Sequence, residues 1–70
     1  MKNEQELKRL GKKISDIRIK KGMSRYELAK KAGKPYPSID RVEKGKTNPS
    51  YLLLLLIAET LKVEMIEFFK

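Results

Sequence analysis

The side chains able to do chemistry gather between Ser24 and Ser50, SRYELAKKAGKPYPSIDRVEKGKTNPS. Arginines, lysines, hydroxyls and a carboxamide there surround two short helix-like segments that meet at Gly33. Guanidinium and ammonium groups suit phosphate oxygens, and the chemistry this stretch offers is the gripping of a polyanion. Covalent chemistry has little to work with. The chain has no histidine and no cysteine, so the commonest acid/base residue, ordinary zinc ligands and disulfides are all missing. Its carboxylates and lysines are scattered, and Gly11, Gly22, Gly33 and Gly45 are too isolated for a phosphate-binding loop. The residues therefore predict a binding protein with no catalytic residues, no metal and no cofactor, rather than an enzyme.

Charge and size agree with that expectation. Seventeen Lys and Arg against nine Asp and Glu give a net charge of +8, which attracts phosphate-rich partners. Seventy residues suffice for one domain, expected over 1–70, with a small core that contributes only about 3–5 kcal/mol unless something supports it. Self-association is one such support. The opening MKNEQELKRL is charged rather than signal-like, which predicts a cytoplasmic protein. The longest apolar run, Leu52 to Ala58, is far short of the roughly 20 residues that cross a bilayer, so no membrane partner is expected.

The elements that position the central segment can be read from periodicity and punctuation. Leu7, Leu10, Ile14 and Ile17 recur every three or four residues and predict an amphipathic helix over residues 4–20, ended by Gly22. Ser24 with Glu27 fits a capping box at the start of a second helix burying Leu28, Ala29 and Ala32. Gly33 then allows the chain to turn sharply. A third helix starts between Pro35 and Pro37, buries Ile39 and Val42 and stops near Gly45. Ser50 caps a fourth helix to about Leu61, and Val63 to Phe69 reads as a short fifth, with Met65, Phe68 and Phe69 closing the core. No strand pattern occurs. The fold class is all-α: a compact five-helix domain containing a helix-turn-helix.

Several blocks, in order and at fitting separations, carry a family resemblance: LGKKISDIRIKKGMS, SRYELAKKAG, SIDRVEKGKTNPS, then LLLIAETLKV and a terminal phenylalanine. Over roughly Leu10 to Phe69 the chain resembles lambda-repressor-like, Xre/Cro-type helix-turn-helix DNA-binding domains. That resemblance implies that the second helix crosses the DNA backbone and the third enters the major groove. It places Arg25, Lys44, Lys46 and Asn48 against phosphates of double-stranded DNA. Tyr36, Ser38, Asp40 and Arg41 are the implied base readers, since the first turns of an inserted helix reach base edges. Tyr36 could equally pack beside Pro35 and Pro37, and Asp40 could orient Arg41 or a lysine. Arg18 and Glu43 correspond to a structural ion pair.

Two stretches depart from the family pattern. KPYPS places two prolines where the reading turn begins, which preorganises that turn or shortens the helix. YLLLLL, residues 51–56, is more apolar than a one-layer core can absorb. Leu54, Leu55 and Ala58, helped by Ile57 and Leu61, are the expected core positions. Leu52, Leu53, Leu56 and Ile66 are left as an outer patch fit for a homodimer or another protein partner. Two functions follow from the residues and the resemblance. The first is a homodimeric transcriptional regulator, such as a repressor, binding specific DNA. The alternative is a protein-interaction domain of the same fold that binds DNA weakly or without specificity and uses the fourth-helix patch.

Overall fold

A computed structural model describes residues 2–70. Its element order is α1 (Lys2–Lys20), α2 (Arg25–Ala32), α3 (Tyr36–Glu43), α4 (Tyr51–Leu61) and a closing 3₁₀ helix (Met65–Phe69). The fold is all-helical. The expected fifth α-helix is a single five-residue 3₁₀ stretch, so the domain has four α-helices plus a 3₁₀ turn among the described residues. Such a short C-terminal run gains too few hydrogen bonds to sustain α geometry, and tighter i→i+3 bonds suffice.

Local chemistry sets the boundaries. Ser24 Oγ accepts from the Glu27 amide while Glu27 Oε1 accepts from the Ser24 amide, both at 3.1 Å, so the capping box closes from both sides. Gly33 ends α2 in the left-handed region at φ 69°, and the next amide, Lys34, donates to Ala29 O at 2.9 Å. α3 begins at Tyr36, with Pro35 as N-cap and Pro37 in the first turn, where a missing amide costs no intrahelical bond. The two prolines thus define the start of a normal eight-residue helix. Ser50 Oγ accepts from the Leu53 amide at 3.1 Å and starts α4.

Ile14, Leu28, Ile39, Val42, Ile57, Leu61 and Phe68 form the fully enclosed centre, with Ala29, Ala58 and Leu54 around them. The assignment along α4 differs from the expected one. Ile57 is fully buried rather than auxiliary, Leu55 is only half-buried, and Leu53 packs against the core instead of lying wholly outside. Phe69 is exposed while Phe68 takes the interior, because adjacent residues of a 3₁₀ turn project in different directions. α1 approaches the end of α3 at Gly11, where a Cβ would lie 2.4 Å from Val42 O and 2.5 Å from Glu43 O. Only a residue without a side chain permits this backbone contact.

Candidate nucleic-acid interface

The surface of interest is built by α2, the turn through Gly33, α3 and the loop that follows. A single carboxylate organises it. Glu43, on the last turn of α3, has a fully buried side chain and accepts from α1 and α2 together. Arg18 Nε donates to Glu43 Oε2 at 2.7 Å and Arg18 Nη2 to Oε1 at 3.0 Å, a bidentate fork. Arg25 Nε donates to Oε1 at 2.8 Å. Arg18 also ties down the α1–α2 turn, with Nη1 on Met23 O at 2.7 Å and Nη2 on Ser15 Oγ at 3.3 Å. No buried side-chain polar atom is left without a partner among the described residues. Full pairing is what makes charges tolerable at this depth.

The network extends outward from Arg25. Its Nη1 donates to Asp40 Oδ1 at 3.0 Å, and Lys44 Nζ reaches Asp40 Oδ2 at 3.1 Å. The Glu43 hydrogen bond, followed by one with Tyr36, raises the Arg25 pKa above its ordinary value, and burial opposes this to a lesser degree. Arg25 consequently stays cationic at any accessible pH. A guanidinium has five N–H donors, so these contacts leave capacity for an external oxygen. Asp40 lies between two cations, which offsets the repulsion its carboxylate would otherwise exert on phosphates.

The remaining residues divide by exposure. Pro37, Arg41 and Lys44 are exposed at i, i+4 and i+7 of α3 and make one outward stripe, with half-buried Ser38 and Asp40 beside it. Lys46 and Asn48 are exposed on the loop after α3, and Asn48 lies near Asn3, Glu6 and Leu7 at the start of α1. Tyr36 is half-buried against the core and stacks on Tyr26 of α2, ring centroids 4.4 Å apart and planes inclined by 24°. Arg25, Asp40 and Lys44 are thus joined on one side of the α2–α3 unit, with Tyr36 and Arg41 flanking them along α3, whereas Ser38, two residues from Asp40, lies across the helix from it. Leu52, half-buried Leu56 and Ile66 lie elsewhere, on α4 and the 3₁₀ helix.

Two features of this surface have no local signal in the sequence: the stack of Tyr26 on Tyr36, and the joining of α2 to two carboxylates of α3 by Arg25. Tyr26 and Tyr36 share no helix and no periodicity, and Arg25 lies 15 and 18 residues from its acidic partners. Among the described residues, no group of His, Cys, Asp or Glu is arranged to hold a metal ion.

Comparison with known proteins places this geometry in context. Residues 14–68 match the family model described as helix-turn-helix. The chain is 40% identical over 57 residues, 81% of each sequence, to an uncharacterized HTH-type transcriptional regulator of Archaeoglobus fulgidus. It superposes on the restriction-modification controller protein C.AhdI from Aeromonas hydrophila with a TM-score of 0.88 and 32% identity, covering 90% of this chain and 96% of that one. The controller protein C.Esp1396I, solved as a tetramer in complex with its natural 35 base-pair operator, matches with a TM-score of 0.83 and 31% identity over 91% of this chain and 84% of its own.

Proposed function

The chain belongs to the helix-turn-helix family of DNA-binding transcriptional regulators, which is not an enzyme family, and from that premise we propose that it is a homodimeric regulator binding specific double-stranded DNA through α3 in the major groove. The observation that carries this reading is the ion network centred on Glu43. It fixes α2 against α3 and turns the stripe of Pro37, Arg41 and Lys44 outward on a rigid base. Base edges are read by Arg41, Ser38, Tyr36 and Asp40, with Arg41 offering a planar fork to guanine and Asp40 an acceptor to cytosine. Arg25, Lys44, Lys46 and Asn48 hold phosphates and set the register. Arg18 and Glu43 act structurally, by keeping α1, α2 and α3 in place.

Residues 1–70 work as one unit, and two such units pair through the exposed apolar side chains of α4 and the 3₁₀ helix. Leu52 and Ile66 are 68% and 61% exposed, and Leu53 and Leu56 lie partly accessible beside them. The tetrameric operator complex of C.Esp1396I is a precedent for operator binding by several copies of a related chain. No helix among the described residues is long and apolar enough to cross a membrane, and action on DNA in the cytoplasm is consistent with that.

The test is selection of bound duplexes from a random library with the full chain, followed by titration at several salt concentrations. A single preferred sequence with paired half-sites is expected, and log K should fall with log salt by about 0.9 per neutralised phosphate. Equal affinity for selected and scrambled duplexes would instead favour a protein-interaction domain with non-specific DNA binding. The exposed apolar side chains of Tyr51, Leu52, Ile66 and Phe69 support that second reading.

A further inference from the structure

Tyr26 has no assigned role in the reading above, and its situation calls for one. Its ring is 72% exposed, an unusual place for a large aromatic in the first turn of α2, yet it is ordered against Tyr36 at 4.4 Å with nearly parallel planes. Tyr36 is the first residue of α3 and follows Pro35, whose fixed φ sets where its Cα lies but leaves its χ1 free. Neighbouring Pro37 has no polar group to hold the ring. Arg25, next to Tyr26 in sequence, holds the Glu43 and Asp40 carboxylates. Two successive residues of α2 thus reach across to α3, one to its carboxylates and one to its first ring.

We propose that Tyr26 is a positioning residue for sequence reading: by stacking on Tyr36 it fixes the orientation in which that ring is presented from the first turn of α3 to the base edges of double-stranded DNA. The inference rests on the assignment of Tyr36 as a base reader. Without the stack, only the core-facing side of the Tyr36 ring is supported, the ring turns more freely, and ordering it on DNA would reduce affinity for the preferred sequence. A non-specific complex, held by phosphates, does not need the ring ordered and is spared that cost. Tyr26 therefore acts on discrimination rather than on overall affinity.

The experiment compares the full chain with Tyr26→Ala and Tyr26→Phe on two duplexes: the one selected by the wild-type protein from a random library and a scrambled version of it. Tyr26→Ala is expected to lower the affinity ratio between them about fivefold, the scale of one aromatic pair, while scrambled-duplex affinity stays unchanged and loss of the ring pair lowers the melting temperature by a few degrees. Tyr26→Phe keeps the ring and retains the ratio. In a Tyr36→Ala background, Tyr26→Ala should have no further effect. In the DNA-free protein, the ring-proton chemical shifts of Tyr36 should move toward random-coil values in Tyr26→Ala. An unchanged ratio, an equal loss on both duplexes, or additive effects of the two alanines would overturn the inference while leaving base reading intact. Failure of the wild-type protein to select any sequence would overturn base reading itself, and the inference with it.

Discussion

The two ends of this small molecule manage their difficult residues in opposite ways. At the junction of α1, α2 and α3, charge is drawn inward and paired: Arg18 and Arg25 share the buried Glu43, and Asp40 is held between Arg25 and Lys44. At the α4 end, apolar side chains are left outward: Leu52, Ile66 and Phe69 are each more than half exposed. The junction has its polar groups paired within one chain, whereas the exposed apolar side chains of the α4 end have no such partners among the described residues. A satisfied polar network defines one geometry, because any shift leaves a buried charge unpaired. An exposed apolar patch defines no geometry until something covers it. The charged junction is thus made rigid by its own chain, whereas the outward side chains of α4 and the 3₁₀ helix gain a fixed arrangement only when something covers them.

Mutations at the two ends should separate these behaviours. The largest effect is expected from Arg18→Ala. Arg25 reaches only one oxygen of Glu43, so the buried carboxylate would lose most of its compensation, and stability should fall by about 3–5 kcal/mol in urea unfolding. If Arg18→Ala melted like wild type, the junction would not be the rigid half. Gly11→Ala drives a methyl group into the Val42 and Glu43 carbonyls and should cost about 1–3 kcal/mol, read as a lower urea midpoint at unchanged slope.

The α4 end should respond more mildly in folding. Lys62 caps α4 at φ 60° and ψ 44°, a left-handed conformation unfavourable for a side chain, so Lys62→Gly should raise the melting temperature, by up to about 1 kcal/mol of stability. Leu52→Ser with Ile66→Ser should change the unfolding free energy of dilute protein by no more than about 0.5 kcal/mol, since both side chains are on the surface. The same pair should weaken self-association in sedimentation velocity at high concentration. Unaltered association would move the copy interface away from α4 and make the contrast between the two ends one of composition only.

Most of the fold was legible because it rests on local rules. Ser24 with Glu27, Ser50, and glycines at helix ends mark boundaries through hydrogen bonds within a few residues, and the three-and-four spacing of Leu10, Ile14 and Ile17 marks one face of α1. The poorly legible element was α4. In YLLLLLIA, residues 51–58, every position is apolar, so periodicity cannot distinguish Ile57, which is fully buried, from Leu55, which is not. Phe68 and Phe69 pose the same problem at the 3₁₀ helix. Hydrophobicity selects the residues available for burial, but the direction of each side chain decides which are buried.

For the α2–α3 surface, the sequence by itself determined the inventory: a cation-rich helix-turn-helix segment with prolines at the start of α3 and no groups for catalysis. Its order of blocks was enough to indicate the family. Only the tertiary structure decided how those groups are used. It joined Arg25 to Glu43 and Asp40, set Lys44 on the other oxygen of Asp40, and brought Tyr26 over Tyr36. The physical reason is range. Caps and periodic faces depend on neighbours within one or two turns, whereas ion pairs and ring stacks across the α2–α3 turn depend on where two separate helices come to rest, and the packing around Leu28, Ile39 and Val42 sets that position.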